Sequence, residues 1–130
     1  MCAIIIMRLL IASNDTVLAD ILSLSMKESG YKVDQAHDGF EAIGCLQKVP
    51  YDVVILDTDM PGMNGAEVCE FIRSDNPDTY VIVRSRSCKS LGELRDGGAD
   101  ICFIKPYVYR GPSMVKNLGL PLPVKVWGLD

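Results

Sequence analysis

The sequence predicts an α/β fold: a doubly wound, five-stranded parallel sheet with helices on both faces. Three observations point there. Strand-like and helix-like segments alternate five times over about 105 residues. The run at 4–12 is nearly continuously apolar and that at 53–56 wholly so, as in strands covered on both faces, rather than alternating. Each of these runs ends abruptly in polar residues, Ser13-Asn14-Asp15 and Asp57. Right-handed crossovers are expected between successive strands.

The elements follow in order. The run 4–12 reads as one central strand, with a short apolar lead from Met1 to Met7. Ser13, Asn14 and Asp15 break it and offer helix-capping side chains. Residues 16–29 carry Val17, Leu18, Ile21, Leu22 and Leu24 at helical spacing, and Gly30 is a natural stop. The shorter, more polar run 31–36 suits an edge strand. Asp38 can cap a second helix reaching about Lys48, with Phe40, Ile43 and Leu46 inward. After Pro50, the run 52–57 is a fully buried strand closed by Asp57 and a turn containing Pro61, Gly62 and Gly65. A third helix is expected over 66–74, a fourth strand over 80–83, a short helix over 89–96 and a fifth strand over 101–104. Beyond Tyr107 the character changes. Gly111, Pro112, Gly119, Pro121, Pro123 and Gly128 leave room for one or two helical turns at 113–118.

At 130 residues the chain fits one domain and can bury roughly two-thirds of its unfolded surface. One domain over 1–107 and an atypical tail over 108–130 are expected, the tail packing on the domain or on a second subunit. Hydrophobic content of 48% with 23% charged residues is that of an ordinary soluble protein. The net charge of −4 argues against bulk binding to nucleic acid or membrane surfaces. Arg8 interrupts the apolar start well short of the roughly 20 residues of a membrane span. Five scattered cysteines without a CxxC spacing, and a single histidine, His37, point to buried thiols rather than a zinc site. A cytoplasmic protein is expected.

Four strand ends bring polar groups to one edge of the sheet: Ser13-Asn14-Asp15, Asp57, Ser85 and Lys105. Ligands and chemistry in open α/β sheets gather outside the carboxyl ends of the strands. An acid, a hydroxyl and an ammonium meeting there suit phosphoryl chemistry, with the carboxylate as covalent acceptor and the other two on phosphate oxygens.

The ordered set of motifs resembles the receiver domain of two-component response regulators, over about residues 8–107. It comprises Leu56-Asp57 followed by Met60-Pro61-Gly62-Met63-Asn64-Gly65, then Tyr51-Asp52, Gly39 with Glu41-Ala42, Gly98-Ala99-Asp100 and Lys105-Pro106. The resemblance implies a flavodoxin-like sheet of order 2-1-3-4-5, here with the fifth helix absent or atypical. It implies Asp57 as phosphoacceptor, Ser85 as switch hydroxyl and Lys105 as the partner of the acyl phosphate. A metal site for Mg2+ would use Asp57 and the backbone carbonyl of Asp59. The implied partner is a histidine kinase or phosphotransfer protein, with self-catalysed phosphotransfer and dephosphorylation as the limit of any enzymatic activity. No DNA-binding element is visible in these residues.

Several positions depart from that family's pattern. The adjacent acids expected after the first strand are Ser13 and Asn14, which removes about two negative charges, each pair worth on the order of 4 kcal/mol at ~4 Å. Asn14 still offers a carbonyl oxygen and Asp15 is a candidate substitute, equally suited to capping the first helix. Weak Mg2+ binding is therefore expected. Arg86 follows the switch hydroxyl, and its guanidinium either pairs with Asp57 and mimics the metal's charge or points to solvent. Cys102, with Phe103 beside it, stands where the family carries a reporting aromatic, and the segment 85–98 is about two residues short, which implies a stunted fourth helix. Leu118, Leu120, Leu122, Val124, Val126 and Trp127 can cover the face a fifth helix would protect, within one chain or across a homodimer; the face of the fourth helix is the other candidate dimer contact.

Two readings follow: a phosphoaccepting receiver, and a pseudo-receiver that acts through protein contacts alone. A flavin or nucleotide binder is a third class, and no glycine-rich phosphate loop follows the first strand to support it.

Overall fold

The computed structural model describes residues 3–58, 60–63, 65–76, 78–85, 101–104 and 124–127, with the backbone alone at 3–5, 85, 101–104 and 124–127. The elements are β1 (Ala3–Ile6), β2 (Arg8–Ala12), α1 (Thr16–Glu28), β3 (Lys32–Ala36), α2 (Gly39–Lys48), β4 (Val53–Asp57), α3 (Gly65–Asp75), β5 (Tyr80–Ser85), β6 (Ile101–Ile104) and β7 (Val124–Trp127). Five strands form one parallel sheet in the order β3-β2-β4-β5-β6. Counted without β1 this is the order 2-1-3-4-5, and the fold is flavodoxin-like. The fourth and fifth helix positions lie outside the described residues.

The apolar run at 4–12 is divided rather than continuous. β1 pairs antiparallel with β7 in a separate two-stranded sheet, while β2 enters the main sheet one residue later. At Met7 the backbone carbonyl accepts from Lys32 N at 3.1 Å, starting the β2–β3 ladder. Arg8, the first residue of β2, is the one polar residue in the run and stands where the pairing partner changes.

Period-two alternation sorts the central strands onto two faces. Leu10, Ala12, Val54, Leu56, Val81 and Val83 join a cluster with Ala42, Leu46, Val68 and Ile72 under α2 and α3. Leu9, Ile11, Val53, Ile55 and Ile82 join Ala19, Leu22 and Met26 of α1. Leu9, Leu10, Val53, Val54, Leu56, Val81 and Val83 are wholly buried, so removing any one creates a cavity that the packed sheet cannot easily close.

The helices start where the capping chemistry places them. Asp15 caps α1, accepting from Leu18 N at 3.1 Å, and Asp38 caps α2, accepting from Glu41 N at 2.7 Å. Two apolar faces differ from the periodicity. Val17, Ile21 and Leu24 lie on the exposed side of α1, because Ala19, Leu22 and Met26 face the sheet. Phe40 was expected inward with Ile43 and Leu46, yet it is 64% exposed. Its ring lies against Gly62, where a Cβ would meet the ring edge at 2.5 Å. Gly62 has φ +82, a conformation that favours glycine, so the loop after Asp57 turns tightly under the Phe40 ring. Gly39, the first residue of α2, abuts the Met63 backbone from the same side. The start of α2 thus props the loop that follows β4.

Candidate functional site

Three strands carry the site, and alternation decides which residues meet. On the α1 face, β2 runs Leu9, Ile11 and then Ser13; β4 runs Val53, Ile55 and then Asp57; β5 runs Ile82 and then Arg84. Each row starts apolar and ends polar at the carboxyl end of its strand. The ladder continues past the formal strand ends: Ser13 N donates to Ala36 O, and Thr58 N donates to Arg84 O, both at 3.0 Å. The β4–β5 register sets Asp57 directly opposite Arg84.

The three side chains converge. Ser13 Oγ donates to Asp57 Oδ2 at 2.6 Å, and Arg84 Nη1 donates to Asp57 Oδ1 at 3.1 Å. Ser13 Oγ in turn accepts from Asp15 N at 3.1 Å, which fixes the direction of its own hydrogen. Asp57 is 2% exposed and the Arg84 side chain 6%. A buried carboxylate needs a compensating charge and hydrogen bonds, and this one has both. The loop is closed behind it by Gly65 N donating to Thr58 O at 3.3 Å.

The residues singled out in the sequence are distributed as follows. Asp57 stands at the end of its strand. Asn14 is exposed in the turn before α1, and the Asp15 carboxylate, also exposed, is the α1 cap. Ser85 ends β5, with its backbone alone described. Asp59, Arg86, Cys102 and Phe103 as side chains, and Lys105, lie outside the described residues or atoms. Among the described residues the guanidinium at Asp57 is that of Arg84, whose Nη1 donates to Oδ1. Expected strand limits of 80–83 hid it; the strand runs two residues further, and parity with Ile82 was the available signal. Ser13 was read as a capping side chain, a polar group at the strand ends and a lost acid; its hydroxyl is a direct partner of Asp57.

This arrangement, one buried acid held at the carboxyl edge of a doubly wound parallel sheet, is that of a flavodoxin-like α/β protein with its polar groups gathered at the strand ends. The response regulator receiver domain model matches residues 9–110. The chain belongs to that family, the domain of two-component signal transduction that accepts a phosphoryl group on an aspartate. It is similar to response regulator MprA of Mycobacterium avium (strain 104), 35% identical over 104 residues, which cover 78% of this chain and 45% of the relative. The match to MprA of Mycobacterium tuberculosis (strain ATCC 25618 / H37Rv) is 33% over 103 residues, 77% of this chain and 44% of the relative. The chain thus spans under half the length of the curated relatives it matches.

Solved structures agree on the fold. The chemotaxis response regulator CheY4 of Vibrio cholerae superposes with a TM-score of 0.78 at 27% identity, covering 88% of this chain and 98% of the other. The response regulator TrrA of Thermotoga maritima, solved in complex with Mg(2+)-BeF, gives 0.73 at 30%, covering 86% and 98%. A CheY-like receiver from Methanospirillum hungatei JF-1 gives 0.81 at 21%, covering 88% and 92%.

Proposed function

We propose that Asp57 is the phosphoacceptor, taking its phosphoryl group from a histidine kinase or phosphotransfer protein in the cytoplasm. The observation that carries this reading is the convergence of Ser13 and Arg84 on a single carboxylate at the strand ends. A carboxylate oxygen attacks phosphorus, a P–O bond forms as the P–N bond of a phosphohistidine breaks, and the imidazole leaves with that electron pair and takes a proton from solvent. Ser85 then serves as the switch hydroxyl and Lys105 pairs with the acyl phosphate. Incubation with a small phosphodonor and measurement of intact mass tests it. One added phosphoryl group, absent in Asp57→Asn, is expected; the same gain in Asp57→Asn rules Asp57 out.

Mg2+ serves the family's chemistry by offsetting charge on the transferring group. In this chain Asp57, the Asp59 carbonyl, Asn14 and Asp15 are the candidate ligands. The described residues do not fit a tightly held ion. Both Asp57 oxygens carry donors, Asn14 is exposed, and the Asp15 carboxylate caps α1. Among the described residues no group of three or more His, Cys, Asp or Glu side chains could hold a metal.

A second reading rests on the burial of Asp57. With 2% exposure and both oxygens engaged, the carboxylate is closed to a donor until Arg84 or Ser13 yields. In that reading the domain is a pseudo-receiver working through protein contacts. Residues 108–130 form the tail of either version, packing on the domain or on a second copy. No helix among the described residues is long and apolar enough to cross a membrane.

A further inference from the structure

The misfit between this site and a divalent ion has a specific author in the chain, Arg84. Mg2+ demands near-octahedral oxygen ligands at about 2.0–2.1 Å and gives up its waters reluctantly. The carboxylate that would anchor it is already neutralised by a buried guanidinium at 3.1 Å, on the same sheet face and in direct register. The other oxygen holds the Ser13 hydroxyl, whose hydrogen is directed by the Asp15 N–H behind it. Two like charges cannot share one small buried carboxylate without strong repulsion.

We propose that Arg84 is a built-in cation of the site, standing against Asp57 in the place a divalent metal would take, so that metal and guanidinium compete for one carboxylate. Ser13 and Asn14 bring no charge beside Asp57, while Arg84 faces it at 3.1 Å. The planar fork of the arginine also matches phosphoryl oxygens, so the same group can follow the charge onto a phosphorylated Asp57. This last consequence rests on Asp57 being the acceptor; the competition itself does not.

The test is a Mg2+ titration of the full chain, read by thermal shift and by calorimetry, on the unaltered protein, Arg84→Gln and Arg84→Lys. The unaltered chain should bind with a dissociation constant above about 1 mM. Arg84→Gln should bind about tenfold tighter or more, and Arg84→Lys, which keeps the charge, should stay near the unaltered value. A submillimolar constant in the unaltered chain, or no tightening in Arg84→Gln, overturns the proposal. If Arg84→Gln does not fold, arginine side-chain NMR of the unaltered chain decides. Mg2+ saturation that leaves the Arg84 signals unmoved sinks the idea, and their displacement at the binding midpoint supports it. Phosphodonor mass gain is measured on the same samples. Its absence throughout counts against Asp57 as acceptor, while the metal titration still judges Arg84.

Discussion

Two arginines pair with aspartates at opposite ends of the same sheet, and they do different things. At the amino end, Arg8 of β2 reaches Asp34 of β3 at 4.0 Å, with the two side chains 31% and 43% exposed. At the carboxyl end, Arg84 reaches Asp57 at 3.1 Å with almost no exposure. The amino end is held by backbone-directed bonds. Arg8 N donates to Asp52 Oδ2, Asp52 N to Arg8 O, Thr79 Oγ1 to Tyr51 O and Arg73 Nη1 to Thr79 O, all within 2.9 Å. Its charges are partly exposed. At the carboxyl end the charges themselves are inside, which stabilises little on balance but makes each partner depend on the other. A buried charge pair where alternation could have placed another Ile is what sets that end apart.

The sharpest way to break this contrast is to remove one buried partner. Arg84→Met should cost about 3–5 kcal/mol in urea unfolding without Mg2+, because buried Asp57 loses the guanidinium that faces it. Combining it with Asp57→Asn should restore most of that loss, since a neutral amide needs no counter-charge. Equal losses in the single and double variants would mean that Arg84 contributes packing alone. Next in size is Gly39→Ala, whose Cβ would collide with the Met63 backbone and displace the loop behind Asp57. A loss of about 1–3 kcal/mol is expected, and a neutral outcome would show that the α2 start does not prop the loop.

Most of the fold was legible because its sheet is wrapped on both faces. Continuous apolar runs, capping aspartates at 15 and 38 and the Pro61-Gly62 turn each state a local preference that tertiary packing did not override. The misreadings share one cause. The break at Met7, the outward Phe40 and the two extra residues of β5 depend on which neighbour a residue meets, and periodicity along one segment is silent on neighbours. The site shows the same limit. Asp57 announced itself by ending a buried strand, whereas Arg84 needed the β4–β5 register.

A pH experiment sharpens the amino end. Burial first, then the hydrogen bond to Asp34 at 2.6 Å and that residue's charge, push the Tyr51 phenol well above its ordinary value. Burial also raises Tyr31. The folded state therefore keeps protons that the unfolded chain releases near pH 10, so this stability is intact below about pH 10 and declines above it. Tyr51→Phe should cost about 1 kcal/mol at neutral pH and flatten the alkaline decline, leaving the part due to Tyr31. An unchanged alkaline slope would show that Tyr51 is not the group responsible.

The smallest effect is expected at Arg8, and it completes the comparison. Arg8→Gln removes a partly exposed charge at the outer limit of ion-pair distance, worth about 0–1 kcal/mol. It also removes Nε, a buried donor that has no hydrogen-bond partner among the described residues, which offsets part of that loss. The Arg8 backbone bonds to Asp52 do not depend on the side chain and remain. What difference survives should vanish at about 1 M salt, where screening reaches about 3 Å, whereas the buried Arg84–Asp57 pair is beyond that screening and its loss should persist. A salt-independent loss above about 2 kcal/mol at Arg8 would place a buried charge at the amino end as well, and the two ends of the sheet would then differ in degree rather than in kind.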